Sequence, residues 1–356
     1  MTNPAGASTS FVGAAYVGSA TIEVGAVVPR APEPDEVQIR VAYVGLCGTD
    51  LHIVHGAMDA RVSTPLIFGH EMSGTIESVG TDVRDWAVGQ KVTVMPLDWD
   101  GTCPACVAGH QHICQNLDFI GIDSPGALQT LWNVPARTLV ELPGGLELDV
   151  AALVEPTAVA VHDVRRAEVT PGDRVVVLGG GPIGVLIATV ARHEGAKVAI
   201  FEPDANRRAA IKGLGHIALD PSTMDQAGWV AEWTDGAGAD VVFEVSGAAS
   251  AVATATALAK VRGTIVVVAI HGTPREVDLK QVFWRELRIL GARVYERRDF
   301  ETATALLADG VIPSGLLISR AVALTAVHEA FDDLRQGRAM KILVDVAAGT
   351  NTEEKK

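Results

Sequence analysis

The stretch 174–191 reads RVVVLGGGPIGVLIATVA, and the fold class follows from it. Residues 175–178 are apolar and, up to Leu178, β-branched, the composition of a strand buried on both faces. Gly179, Gly180, Gly181 and Pro182 then break the run, and 183–194 continues at helical length. Gly179, Gly181 and Gly184 satisfy G-x-G-x-x-G, with Pro182 and Ile183 inside the pattern. Alone that pattern is weak, because glycine-rich turns are common. Here it stands where a dinucleotide-binding fingerprint requires it, with a buried strand directly before and an apolar helix directly after. The first glycine permits the tight turn, the second lets a pyrophosphate approach the backbone, and the third lets helix pack on strand. The phosphate charge then faces the unpaired N–H groups of the helix N-terminus.

Working outward, 197–201 reads as a second strand and 205–213 as a second helix. That strand runs into Glu202, about 20 residues beyond the glycines, where a carboxylate can accept hydrogen bonds from the adenosine ribose hydroxyls. The same charge would repel a 2′-phosphate, so NAD is expected over NADP. Arg207 and Arg208 lie just beyond and pull the other way, since either could meet a phosphate. Two more buried strands follow at 240–245 and 264–270, separated by an Ala-rich helical stretch at 248–260. Strand–helix alternation of this kind predicts a doubly wound parallel sheet with right-handed crossovers. The first third differs, with short β segments and frequent turns. Residues 36–44 alternate apolar and polar, and 79–95 reads as a strand pair turning at Gly89-Gln90. After Gly291 the pattern loosens, and 349–356 reads as a charged, disordered tail.

Composition narrows the function. The 356 residues carry 29 Lys+Arg against 43 Asp+Glu, a net charge of −14, without a basic run. Nucleic-acid binding relies on clustered cations and is not expected. The run 175–191 approaches the ~20 residues of a bilayer span, but the glycine cluster inside it favours a turn between two elements. With Arg30 as the first basic residue, there is also no n-region of a secretory signal. A soluble cytoplasmic protein with no membrane partner is the expectation. Four cysteines are too few to staple this length, and the crowding of Cys103, Cys106 and Cys114 suggests metal chemistry.

A second constellation is spread over the β-rich part. Cys47, His70 and Glu71 offer a thiolate, an imidazole and a carboxylate, a donor set that suits zinc. The segments Gly45-Leu46-Cys47-Gly48-Thr49-Asp50-Leu51-His52 and Gly69-His70-Glu71 resemble the medium-chain zinc-dependent alcohol dehydrogenase family, especially its sorbitol, butanediol and threonine dehydrogenase branch. So do 155–162 (EPTAVAVH) and 177–184 (VLGGGPIG), and the motifs keep their order from about residue 12 to about residue 346.

The resemblance implies a β-rich GroES-like catalytic domain, residues 1–157 and 295–356, with a Rossmann cofactor domain inserted at 158–294. It implies a catalytic zinc on Cys47 and His70 with Glu71 as third ligand. Glu155 would be a direct ligand or the partner of a water held there. Thr49 would take the proton of the substrate hydroxyl and His52 would pass it toward solvent, while Asp50 orients His70. Zinc is a Lewis acid that eases loss of that proton, and the deprotonated substrate gives hydride to the nicotinamide.

The family's second zinc lobe has four cysteines at C-x2-C-x2-C-x7-C. This chain keeps the spacing through Cys103, Cys106 and Cys114, but Asp100 stands at the first position. Carboxylate oxygen is an acceptable zinc ligand, so a weakened Cys3Asp site is expected, with a metal-free lobe as the alternative. The resemblance also implies homo-tetramers, or else dimers.

The substrate is the least determined point. The branch resemblance favours NAD-dependent oxidation of a secondary alcohol in a sugar alcohol or small vicinal diol, ahead of threonine or a simple alcohol. Arg293 lies where the chain returns to the first domain, and its guanidinium suits extra hydroxyls or an interface ion pair equally well. A zinc-free reductase of the quinone type would lack the Cys47/His70/Glu71 set. A non-catalytic cofactor-binding scaffold would have no need of Thr49 and His52.

Overall fold

In the computed structural model, which describes residues 11–348, the chain separates into two units. One contains the residues up to Glu155 and those from Ile318 onward, and the other is Pro156–Leu317. The chain therefore returns to the first unit at Ile318 and not at 295. The reason lies in the helix Arg297–Ala308. Its Asp299 accepts bonds from Arg165 Nε at 2.7 Å and pairs with His162 Nδ1 at 2.9 Å, both on the helix Val154–Arg166. The Tyr295 ring, fully buried, packs edge-on to Phe300 with centroids 4.8 Å apart. A buried pair of rings and a shared carboxylate tie 295–317 to the second unit.

The second unit is built on one parallel sheet. Its strands, in chain order, are β1 (Arg174–Leu178), β2 (Lys197–Phe201), β3 (Ile217–Leu219), β4 (Ala239–Glu244), β5 (Ala259–Val267) and β6 (Arg288–Gly291). They lie in the order β3-β2-β1-β4-β5-β6, the doubly wound arrangement read from the sequence. The order reverses between β1 and β4, the place where such sheets bind their ligands. Val176, Leu178, Phe201, Val242 and Ile265 fill one face, packed under Val230, Ala255 and Leu258. The helix Pro182–His193 begins one residue before the expected boundary, because proline is tolerated in the first helical turn.

The first unit centres on the strand Glu36–Gly45. It pairs antiparallel with Glu71–Val79 on one side and with Lys341–Asp345 on the other. The strand pair expected over 79–95 is Glu71–Val79 against Lys91–Val94. The turn at Gly89-Gln90 is where it was read, but the first strand ends at Val79 and 80–90 is a loop. The expected tail 349–356 lies outside the described residues. Among the described residues no helix is long and apolar enough to cross a membrane.

One buried group has a measurable cost. Asp163 sits beside His162 on the helix Val154–Arg166, is 1% exposed, and has no hydrogen-bond partner on either carboxylate oxygen. Burial, reinforced by the Asp299 charge, holds its pKa well above the usual carboxylate range. Protonation thus favours the folded state: the contribution is complete below about pH 4 and is lost as pH rises through the raised value. Asp163→Asn, neutral throughout, should melt higher than the parent by at least about 2–4 °C at pH 8, the shift of 1 kcal/mol at this size. The gap should shrink at pH 5. An equal gap at both pH values would show that the carboxyl is not ionising against burial.

Candidate functional site

Cys47 ends the loop after strand Glu36–Gly45 and caps the short helix Gly48–Val54. Its sulfur accepts the Thr49 N–H at 3.3 Å, while its own N–H donates to Asp50 Oδ2 at 3.0 Å. This reciprocal cap fixes the thiol at the start of the helix. Glu71 begins the neighbouring strand with His70 just before it, and His70 Nε2 lies 3.3 Å from Cys47 Sγ. One donor atom from each of Cys47, His70 and Glu71 falls within 4.8 Å of the others. His70 and Glu71 are buried, and the His70 ring stands edge-on to Phe119 at 5.3 Å.

The electrostatics of this trio suit a cation. Burial, then the Asp50 charge, pushes the Cys47 thiol up. Burial pulls His70 down, but the Cys47 and Asp50 charges outweigh it and hold the imidazole well above its ordinary value. His70 Nδ1 and Asp50 Oδ1 are buried without a hydrogen-bond partner and face each other at 3.6 Å. Asp50 therefore stands where an orienting group belongs, one small shift from a hydrogen bond. A metal on His70 Nε2 would leave Nδ1 protonated and supply that donor. Glu155 is also buried, and its charge acts on His70, but it is not one of the three converging donors. Thr49 is half-buried beside Cys47, and His52 is exposed one turn along the same helix.

The lobe is equally well formed. Asp100, Cys103, Cys106 and Cys114 bring four donor atoms within 4.8 Å of one another. Cys103 and Cys114 sulfurs are 3.8 Å apart, and all four cysteines are free thiols. Sulfurs on a tetrahedral zinc with bonds of about 2.3 Å sit about 3.8 Å apart. The Cys103 N–H, the Asn116 amide at 2.6 Å and the Thr102 N–H hold the Asp100 carboxyl well below the usual range. Oδ1 takes both backbone N–H groups, while Oδ2 takes the Asn116 amide and keeps a lone pair for a metal. N–H groups of Gln115 and Cys106 lower the Cys103 thiol, while burial and the adjacent thiols push Cys106 up to about 12. Asn116 is a participant the sequence reading missed, and its signal was only an amide two residues after the last cysteine.

At the switch point Gly179 has φ +115°, the left-handed region that glycine enters freely. A Cβ at Gly184 would land on the Gly179 carbonyl oxygen, so the turn tolerates no side chain there. Open space surrounds Gly181, the position where a pyrophosphate needs to approach, and Pro182 and Ile183 start the helix beyond it. Glu202 is buried at the end of β2, accepting Gly180 N–H and Asp204 N–H at 2.8 Å each. Arg207 gives its N–H to the Asp204 cap. Arg208 is committed, bonding the Glu202 and Pro203 carbonyls and pairing with Asp220 at 2.9 Å. Arg293 is exposed two residues after β6, next to Val294, whose φ of +50° is strained for a β-branched residue.

Residues 33–144 match the alcohol dehydrogenase GroES-like domain, and residues 182–309 match the zinc-binding dehydrogenase domain. The chain belongs to the medium-chain zinc-dependent alcohol dehydrogenase family. It is 49% identical to the 2-dehydro-3-deoxy-L-galactonate 5-dehydrogenase of Pseudoalteromonas atlantica, over 94% of this chain and 98% of the relative. It is 31% identical to the sorbitol dehydrogenase of Halalkalibacterium halodurans, over 89% and 94%. A zinc-binding dehydrogenase from Sinorhizobium meliloti 1021, solved bound to NADP, superposes with TM-score 0.89 at 32% identity over 94% and 99% of the two chains. The protein is thus an enzyme of a family of zinc-dependent alcohol and polyol dehydrogenases.

Proposed function

We propose that the protein oxidises a secondary hydroxyl of a polyhydroxylated sugar derivative to the ketone, with NAD as hydride acceptor. The convergence of Cys47, His70 and Glu71 within 4.8 Å carries the reading. These residues would hold a catalytic zinc, with Glu155 close by, and Asp100, Cys103, Cys106 and Cys114 would hold a structural one. Zinc bound there supplies a Lewis acid that eases loss of the substrate proton. The chain's own residues do the rest. Thr49, fixed beside Cys47 by the helix cap, offers a hydroxyl that relays a proton. His52, exposed on the next turn, hands it to solvent. Gly179, Gly181 and Gly184 shape the turn that receives the pyrophosphate, and Glu202 and Arg207 border the adenosine ribose. We assign Arg293 to substrate hydroxyls or a carboxylate, with the strain at Val294 as support.

Sugar acids take precedence over neutral sugar alcohols and diols, because the relative at 49% identity is named for a deoxy sugar acid. NAD reduction measured against aldonic and deoxy-aldonic acids, sugar alcohols, butanediol and threonine tests this. A response confined to threonine or simple primary alcohols would overturn it. The metal reading has its own check. Two zincs per chain are expected from the purified protein, and Cys47→Ser should leave one. One zinc in the parent, with three readily titrated thiols, would leave the lobe metal-free. We extend the proposal to a homo-oligomer, since β6 ends the sheet and Leu279, Phe283 and Trp284 are exposed beside it. A mass above one chain by light scattering is expected.

A further inference from the structure

Lys341 is buried at 2% exposure beside the candidate catalytic metal trio, and no role described so far uses it. It opens the strand Lys341–Asp345, which flanks Glu36–Gly45 on the side opposite Glu71. Gly45 pairs with Glu71 on one side and with Leu343 on the other. A Cβ at Gly45 would land on Glu71 Oε2, so glycine leaves the gap through which lysine and glutamate meet across the central strand. Lys341 Nζ donates to Glu71 Oε2 at 2.6 Å, to Glu71 Oε1 at 2.8 Å and to the Leu46 carbonyl, next to Cys47, at 3.1 Å. All three ammonium hydrogens are used, and both carboxylate oxygens are engaged.

We propose that Lys341 is a positioning residue for the metal centre: it holds both Glu71 oxygens, keeps that carboxylate from closing on the metal bidentately, and so preserves an open coordination position. The inference rests on the reading that Cys47, His70 and Glu71 bind metal. Its physical basis is competition for one carboxylate. A carboxylate shared between ammonium and metal has one lone pair of each oxygen taken by an N–H, which weakens its donation and disfavours closing on the metal through both oxygens at once. Without the ammonium, a buried carboxylate loses its compensating charge, and the metal becomes its remaining partner. The metal should then be held more tightly and with a different ligand set.

Cobalt(II) reports this directly, because its visible bands follow ligand number and geometry. The band lost in Cys47→Ser belongs to this site. Lys341→Met is expected to shift that band and to slow loss of cobalt to a chelator at least about threefold. Lys341→Arg, which keeps a cation, should leave the band in place. In a Glu71→Gln background Lys341→Met should produce no further shift. An unchanged band in cobalt-loaded Lys341→Met, or faster metal loss with the band retained, would overturn the proposal and leave Lys341 a purely structural charge. If no band disappears in Cys47→Ser, the metal reading itself fails, a result distinct from the other two.

Discussion

Cys47→Ser should abolish turnover while leaving NAD binding intact. Cys47 supplies the one soft donor of its trio, and its sulfur lies 3.3 Å from His70 Nε2. A serine hydroxyl stays protonated at neutral pH and is a poor zinc ligand, so the open site that needs three protein donors is left with two. Altering a mere supporting partner of a metal ligand costs roughly 10–100-fold, so loss of the ligand itself should exceed that range. The cofactor should be unaffected, because Gly179, Gly181, Gly184 and Glu202 all belong to the second unit. Fluorescence titration with NADH and steady-state assays on the same preparation measure both quantities. Activity retained within about tenfold would remove the zinc mechanism. Loss of NADH binding together with activity would point to a folding defect. The cap makes that outcome testable, since Thr49 N–H and Asp50 Oδ2 should hold serine as they hold cysteine.

What was legible in the sequence divides along physical lines. In the second unit the stretch from β1 through the helix Ala205–Gly213 was read to within a residue, because a β-branched run, a glycine turn and an amphipathic helix are local signals. By contrast, β5 was expected at 264–270 and spans Ala259–Val267, and β3, β6 and the helix Gln226–Trp233 went unread. Lys197–Phe201 and Ala205–Gly213 fall where composition put them. The residues that converge on the two candidate metal sites came from spacing and from family motifs, which carry information about neighbours far apart in sequence. The features that escaped depend on tertiary return. Lys341 lies 270 residues from Glu71, at the start of a short strand whose next three residues are apolar. A lone lysine in such a strand signals only that some partner exists. The boundary was misjudged for the same reason. Residues 295–317 are held by Asp299 bonding to Arg165 and His162 across more than a hundred residues, and no local pattern announces that. Asp163 shows the converse, a charge in a helix where the sequence offers no reason to expect burial.

Glu202→Ala should raise the Michaelis constant for NAD about tenfold or more and narrow its advantage over NADP. In the structure Glu202 serves two ends. Its side chain holds the Gly180 N–H, bracing the glycine turn, and on the proposed reading its charge would meet the adenosine ribose. A hydrogen bond to a charged group contributes about 1.5–3 kcal/mol, roughly 10–100-fold in affinity. A 2′-phosphate would meet that carboxylate in a buried setting. The nearby Arg208 offers little relief, being tied to two carbonyls and to Asp220. Glu202→Gln separates the two roles. It keeps an acceptor for Gly180 and removes the charge, so NADP should improve while NAD weakens only modestly. If both substitutions leave the kinetics of both cofactors unchanged, Glu202 does not touch the ribose, and the choice of cofactor rests with Arg207 or with residues beyond it.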